Sequence, residues 1–196
     1  MSQERLEKQI AFILEIDRLK QVLRQSYITG GSRRENSAEH SWHLALMALV
    51  LAEYAHASVD MTRVLKMLLV HDLVEIDAGD TFCYDDKAAA DKPEREARAA
   101  ERIFGLLPAD QQKELRGLWD EFEARTTREA QFAGALDRLM PLMHNYTSQG
   151  RTWQEHGVQS EKVMERNRHI KDGSDTLWSF ARKLIEDAVA KGYLAV

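Results

Sequence analysis

Apolar residues recur along much of the chain at intervals of three and four positions, which is the spacing of one face of an α-helix. Residues 2–24 follow this spacing and predict the first helix. A second helix is predicted from the capping residue Ser37 to about Ala57, and its segment 44–52 is apolar on nearly every side. Because a helix of that kind is normally buried, we expect it at the centre of a bundle.

The later segments continue the helical pattern. Further helices are predicted from Asp60 through Glu75 or Ile76, from Pro93, from Pro108 to near Arg125, over 129–146 after a cap at Thr127 with an interruption at Pro141, and over about 157–171 and 175–190. No run alternates apolar and polar residues with a period of two, so we predict no sheet. The predicted fold class is therefore all-α, a bundle of about seven or eight helices.

Two loops separate these helices. The segment 27–36 contains two adjacent glycines and two adjacent arginines, and the segment 77–93 is an acidic loop of about fifteen residues. A loop as long as the second is uncommon inside a domain and often faces a substrate. Since no stretch has the composition of a linker, we predict one domain over 1–196, in which helices at about 157–190 pack on a core at about 25–147.

Composition and charge narrow the range of functions. The 196 residues include 27 Lys and Arg against 32 Asp and Glu, a net charge of −5, which excludes a generally basic nucleic-acid binder. The longest apolar run covers 44–52, whereas a membrane-spanning helix needs about twenty residues. The charged start lacks the apolar segment of a signal peptide, and Cys83 has no partner cysteine. We therefore expect a soluble cytoplasmic protein that binds neither nucleic acid nor membrane.

Four ionisable residues interrupt apolar helical segments: His40, His71, Asp72 and Asp137. A carboxylate in such a position costs on the order of a few kcal/mol to bury unless a cation or hydrogen bonds compensate it. Two imidazoles and two carboxylates from three helices can form the shell of one divalent transition-metal ion, with open positions for water and substrate. Each residue taken alone also fits a structural role, as a hydrogen-bonded core histidine or an aspartate paired with an arginine.

The four residues, taken in order, match the motif H…HD…D, and in this the chain resembles the HD-domain family of metal-dependent phosphohydrolases. The similarity extends over the segments 35–55, 68–80 and 135–146, and it is greatest to the 5′-deoxynucleotidase-like branch. The resemblance implies a helical fold, one divalent metal ion and hydrolysis of a phosphate ester. The metal identity stays open among Mn, Co, Fe, Ni, Zn and Mg.

Two acidic residues that follow Asp72 in the sequence have expected roles at this site. Glu75 follows His71 by four positions and Asp72 by three, which places it on the same face of a helix. The resemblance implies that Glu75 is catalytic and receives a proton from the attacking water or aligns that water; a charge pair at the helix end is the alternative. The resemblance also implies that Asp80 contacts the sugar of the substrate, whereas an Asx-turn is its structural alternative.

Arginines supply the expected contacts to the substrate. Arg33 and Arg34 could bind phosphate oxygens, because a guanidinium matches them in a bidentate way, and Arg33 corresponds to an arginine of the family. Arg24 takes the place of a second family arginine. The tryptophan that follows that arginine in the deoxynucleotidases is absent, and Tyr27 is the nearest aromatic residue, so the sequence leaves the preference for deoxyribose open.

Two further histidines lie at helical spacing from the expected ligands. His43 follows His40 by one turn, and His144 follows Asp137 by seven positions. We interpret His43 as a phosphate contact or proton donor, and His144 as a weaker candidate for a similar role. A packed core histidine is the alternative for both residues.

The leading functional hypothesis is an enzyme that hydrolyses a phosphomonoester, with a nucleoside 5′-monophosphate as the expected substrate. The alternatives are a phosphohydrolase acting on a cyclic nucleotide, a nucleoside triphosphate or a guanosine alarmone, an HD-type oxygenase with two irons, and a non-catalytic helical module stabilised by metal. We also expect a homodimer, because small helical proteins commonly self-associate.

Overall fold

Helices account for most of the chain in the computed structural model, which describes residues 3–196. The helices are α1 (Gln3–Ile16), α2 (Ser37–Leu51), α3 (Met61–Val70), α4 (Glu75–Ala78), α5 (Asp86–Ala89), α6 (Lys92–Phe104), α7 (Ala109–Ala124), α8 (Arg128–Thr147), α9 (Arg151–Glu155), α10 (Ser160–Asn167), α11 (Ile170–Gly173) and α12 (Asp175–Ala190). Two strands, β1 (Leu23–Tyr27) and β2 (Arg34–Asn36), form a hairpin, and 3₁₀ turns cover Asp17–Gln21 and Ala52–Tyr54. Residue 2, where the predicted first helix begins, lies outside the described residues.

Helix α8 lies at the centre of the fold. It packs against α2, α3, α7, α11 and α12, and it is lined with fully buried side chains such as Phe132, Leu136 and Met140. Eight of the described helices have seven or more residues, which confirms the predicted all-α class and the predicted number of helices. Within residues 3–196, no helix combines the length and the apolar character that crossing a membrane requires.

The hairpin corrects the prediction that the chain contains no sheet and that its first helix extends to residue 24. Helix α1 ends at Ile16, and β1 pairs antiparallel with β2 around two glycines, Gly30 and Gly31, whose φ angles are +94° and +71°. Strands of five and three residues are too short to show an alternating pattern, and the pairing overrides the helical spacing of residues 17–24. The hairpin carries Arg24 and Glu35 towards the centre of the fold.

Helix α3 is shorter than the third helix that the sequence predicts. Asp60 caps α3 as predicted, by accepting a hydrogen bond from the backbone N–H of Arg63. However, the helix ends at Val70 rather than at residue 75 or 76, and Glu75 begins the separate helix α4. Between the two helices the backbone changes to i→i−3 hydrogen bonds, including one from the N–H of Glu75 to the carbonyl of Asp72. His71 and Asp72 therefore lie on a tight turn.

Other helix boundaries differ in smaller ways. Asn36, rather than Ser37, caps α2, and it forms a capping box with Glu39. Thr127 caps α8 as predicted, but α8 runs on through Pro141 without a break. The predicted loop 77–93 contains the short helix α5, and the predicted helix over 157–171 is divided between α10 and α11. These differences arise because capping and packing partners, rather than spacing, set where a helix stops.

Close packing at Gly173 gives a test of the fold. A Cβ atom there would lie 2.5 Å from the backbone oxygen of Gln131 and 2.8 Å from the Cα of Phe132, so α11 approaches α8 more closely than any side chain allows. We expect Gly173→Ala to lower the free energy of unfolding by about 2 kcal/mol. The matched control is Gly117→Ala in α7, where no atom lies within 4 Å of the added Cβ.

The control should raise the free energy of unfolding by roughly 0.5–1 kcal/mol, because alanine favours a helix over glycine. Urea denaturation of both variants measures the two changes. Equal changes in the two variants would contradict the close contact between α11 and α8.

Candidate metal centre

The predicted metal ligands come from three separate elements that meet beside α8. His40 lies on the first turn of α2, His71 and Asp72 lie on the turn after α3, and Asp137 lies on α8. The Nε2 atom of His40 is 3.1 Å from Oδ1 of Asp137, and the Nε2 atom of His71 is 3.1 Å from Oδ1 of Asp72 and 3.7 Å from Oδ1 of Asp137. The structure therefore brings all four side chains to one place.

The other nitrogen of each imidazole faces a fixed acceptor. The Nδ1 of His40 lies 3.2 Å from Oε2 of Glu35, and the Nδ1 of His71 lies 2.9 Å from the backbone oxygen of Leu68. In a neutral imidazole one nitrogen carries the proton and the other has a lone pair. When each ring is neutral and donates from Nδ1 to this acceptor, it presents the Nε2 lone pair to the carboxylates, as in metal sites with an oriented histidine.

These acceptor atoms repel one another unless a positive charge lies between them. The buried Nε2 of His71 has no hydrogen bond of acceptable geometry within residues 3–196. Burial lowers the pKa of His71, but the carboxylates of Asp72 and Asp137 outweigh it and raise the pKa to about 9. The constellation therefore favours a cation, either a proton or a metal ion. His40, His71 and Asp72 offer ligand atoms within 4.8 Å of one another, and Oδ1 of Asp137 lies 3.1 and 3.7 Å from the two imidazoles, so the set fits a divalent transition metal.

Arg24 links the carboxylates at the edge of this centre. Its Nη1 atom lies 2.7 Å from Oδ2 of Asp72 and 3.8 Å from both Oε2 of Glu75 and Oδ1 of Asp80. The strand β1 places this guanidinium, whose side chain is 13% exposed, across the turn from α3 to α4. Arg24 thus holds Asp72 so that its other oxygen, Oδ1, points towards His71.

Glu75 is buried beside the predicted ligands without lying between them. The hydroxyl of Ser37 donates a hydrogen bond to Oε2 of Glu75, with the two oxygens 2.6 Å apart. Burial, and then the negative charge of Asp72, raise the pKa of the Glu75 carboxyl well above its usual value. A carboxylate with a raised pKa accepts a proton readily at neutral pH, which is the property that a general base needs.

A cavity opens from this centre towards the loop after α4. The metal centre contributes His71, Asp72 and Asp137 to its lining, and the loop contributes Asp80 and Phe82. Phe82 and Tyr84 stand edge to face across the loop, with ring centroids 5.3 Å apart. The loop that we predicted to face a substrate therefore lines a cavity that could hold one.

Three arginines that the sequence reasoning missed also line this cavity: Arg125, Arg138 and Arg166. In the described part of the chain none of them forms an ion pair, and the buried Nε of Arg138 lacks a hydrogen-bond partner. Burial, and then the positive charge of Arg138, lower the pKa of Arg125. They come from the ends and middle of different helices, so no local spacing could have grouped them. Guanidinium groups that line a cavity without ion pairs of their own are suited to bind an anionic ligand.

The arginines predicted from the glycine-containing loop lie elsewhere. Arg33 is half exposed and forms two hydrogen bonds of 2.7 and 2.8 Å with Glu39, outside the cavity lining. Arg34 bonds to Gln25 and lies 3.6 Å from Oε2 of Glu155, again outside the lining. Because both guanidinium groups already have partners, the geometry does not bring either of them to the metal centre.

The remaining candidates are also placed by the structure. The hydroxyl of Tyr27 donates to Glu155, and this tyrosine is not among the residues that line the cavity. His43 and His144 lie beside each other, with ring centroids 5.9 Å apart, and they flank Glu35 rather than the cavity. Their predicted contact with phosphate stays a prediction that the geometry does not support.

Two curated relatives with the same name are similar to this chain in sequence. A curated relative from Bos taurus, named 5′-deoxynucleotidase HDDC2, is 33% identical over 135 residues, which cover 68% of this chain and 64% of the relative. The chain thus spans a little under two thirds of that protein. The relative of the same name from Danio rerio is 31% identical and is covered over 70% of its length.

Solved structures and a family model agree with these relatives. A crystal structure described as a predicted metal-dependent phosphohydrolase from Magnetospirillum magnetotacticum is 55% identical, with a TM-score of 0.95 over 98% of this chain and 97% of that one. A protein from Pyrococcus furiosus, 23% identical with a TM-score of 0.63, shares the fold. The model of the HD domain matches residues 16–178. The chain therefore belongs to the HD-domain family.

Proposed function

We propose that this protein is a metal-dependent phosphohydrolase that releases phosphate from nucleoside 5′-monophosphates. The observation that carries the proposal is one cavity lined by three of the candidate metal ligands, by a buried glutamate with a raised pKa and by three arginines that form no ion pair with the described residues. The names of the curated relatives and of the Magnetospirillum structure support the same class of reaction.

The metal would be held by His40, His71, Asp72 and Asp137. When bound, a divalent ion supplies a Lewis acid that stabilises negative charge on phosphate oxygens and lowers the pKa of water. Glu35 and the carbonyl of Leu68 fix the two imidazoles, so that the ligand atoms need little rearrangement. The identity of the ion stays open among Mn, Co, Fe, Ni, Zn and Mg.

Glu75 is proposed as the general base. Its carboxylate accepts a proton from the attacking water, and the water oxygen then forms the new bond to phosphorus while the bond to the 5′ oxygen breaks. The 5′ oxygen takes up a proton from solvent and leaves as the hydroxyl of the nucleoside. The hydroxyl of Ser37 holds one carboxylate oxygen of Glu75, which leaves the other free for the water. Arg24 acts on the opposite side, where its hydrogen bond to Oδ2 orients Asp72.

The cavity arginines and the loop are proposed to bind the substrate. Arg125 and Arg138 would contact phosphate oxygens, because both line the cavity and neither forms an ion pair with the described residues. Arg33, which the sequence predicts for this role, lies outside the lining. Asp80 is positioned to accept a hydrogen bond from a sugar hydroxyl, and the aromatic ring of Phe82 offers a face for the base.

The assembly and location that we expected stay predictions. A homodimer is supported by the apolar face of α1, where Leu6, Ile10, Ile13 and Leu14 are each exposed over at least 46% of their surface. A cytoplasmic location agrees with Cys83 being a free cysteine. Neither property enters the proposed reaction.

Glu75→Gln tests the reaction most sharply. The variant keeps the size of the side chain but cannot accept a proton, so we expect kcat to fall by about 10²–10⁴-fold while the metal content stays at that of the wild type. The matched control is Glu121→Gln, since Glu121 is also largely buried and bonds to Arg63, but lies outside the cavity lining.

The measurement is chromatographic detection of the hydrolysis products (nucleoside, nucleotide, phosphate, pyrophosphate or triphosphate) from a panel of deoxyribonucleoside and ribonucleoside monophosphates, nucleoside triphosphates, cyclic nucleotides and guanosine alarmones, in the presence of Mn²⁺, Co²⁺ or Mg²⁺. Turnover of the monophosphates by the wild type and by Glu121→Gln is the expected result. An unchanged rate in Glu75→Gln would remove Glu75 from the mechanism, and exclusive turnover of another class would replace the proposed substrate.

A pair of arginine variants separates the two candidate phosphate contacts. Because a hydrogen bond to a charged group contributes about 1.5–3 kcal/mol, Arg138→Gln should raise KM for a nucleoside monophosphate by roughly 10-fold or more. Arg33→Gln removes a half-exposed arginine that is paired with Glu39, and we expect KM to change by less than about 2-fold. Steady-state kinetics of both variants measure the two KM values. A larger increase in KM for Arg33→Gln than for Arg138→Gln would show that Arg33, rather than Arg138, contacts the phosphate.

A further inference from the structure

A second group of metal-binding side chains lies next to the first. Glu35 on β2, His43 on α2 and His144 on α8 each offer a ligand atom, and the three atoms lie within 4.8 Å of one another. His43 follows the predicted ligand His40 by one turn of α2, and His144 follows Asp137 by two turns of α8. The helices α2 and α8, which carry His40 and Asp137, thus also carry two possible ligands of a second site.

The carboxylate of Glu35 is buried without a full counter-charge. Its residue is 2% exposed, and the nearest guanidinium atom, Nε of Arg24, lies 3.9 Å away. That guanidinium already bonds to Asp72 over 2.7 Å. A buried carboxylate in this state is costly unless another cation compensates it.

His144 provides an independent sign of a missing partner. Its residue is 4% exposed, and its buried Nδ1 has no hydrogen-bond partner within residues 3–196. This atom lies 3.8 Å from Oε2 of Glu35, which is too long for a hydrogen bond. Two ligand atoms about 2.0–2.2 Å from a tetrahedral ion are about 3.4 Å apart, so a small movement would close both atoms around one ion.

We propose that Glu35, His43 and His144 bind a second divalent transition-metal ion beside the predicted metal centre. Two imidazoles and one carboxylate suit zinc and similar ions of borderline softness, and a set of three protein ligands leaves a position for water. His43 is half-buried, which gives the ion a path from solvent. The proposal goes beyond the proposed function, because binding this ion requires no hydrolysis.

The second ion would be coupled to the first centre through Glu35. The same carboxylate that binds the second ion accepts the hydrogen bond from Nδ1 of His40 over 3.2 Å. An ion on Glu35 therefore fixes the orientation of the His40 ring, whose Nε2 faces Asp137.

Zinc content per chain tests the proposal. The protein is stripped with a chelator, equilibrated with a Zn²⁺ buffer and measured by elemental analysis, together with His43→Gln, His144→Gln and Asp72→Asn. We expect two zinc ions in the wild type and one in each of these variants. The matched control is His169→Gln, because His169 is an exposed histidine paired with Asp172, and it should keep both ions.

One zinc ion in the wild type that His43→Gln and His144→Gln both retain would overturn the proposal. Thermal melting shows whether each variant is folded, and anomalous scattering at the zinc edge from wild-type crystals gives a test that needs no variant. A peak between Glu35, His43 and His144 is expected, and its absence from crystals with zinc at the first centre would also overturn the proposal. Failure of the proposed hydrolysis would leave these results unaffected, so the two proposals are separately testable.

Discussion

The site depends on four acceptor groups that are held facing one another. Glu35 and the backbone oxygen of Leu68 take the Nδ1 protons of His40 and His71, which leaves both Nε2 lone pairs directed at carboxylates 3.1 Å away. Such an arrangement is unfavourable unless a cation lies inside it. Burial strengthens the effect, because the low dielectric of the interior screens the charges poorly.

The hairpin and the central helix α8 maintain this arrangement. The hairpin turns at Gly30 and Gly31, and its strands carry Arg24 to Asp72 and Glu35 to His40. Helix α8 supplies Asp137 from among fully buried neighbours, so that its carboxylate cannot move away from the imidazoles. The packing of the hairpin and α8 is therefore what keeps the acceptors together.

Much of the fold and the identity of the four central residues could be predicted from the sequence. Their polarity contrasts with the apolar helices around them, and the caps at Asp60 and Thr127 are local signals. The hairpin could not be predicted, because strands of five and three residues are too short to show an alternation of apolar and polar residues. The sequence did not single out Arg138, because its place in the cavity lining depends on how α8 packs. Arg33 pairs with Glu39, six positions further along the chain, a contact that helical spacing alone does not indicate.

Anomalous scattering from crystals equilibrated with Mn²⁺ tests the central claim most directly. A manganese ion between His40, His71, Asp72 and Asp137 is the result that the account predicts, with both imidazoles bound through Nε2 at roughly 2.0–2.3 Å. Metal-free crystals give the reference positions of the four side chains. If the anomalous map shows no ion between them at saturating Mn²⁺, or shows His40 and His71 bound through Nδ1, the opposed acceptors do not form a metal centre.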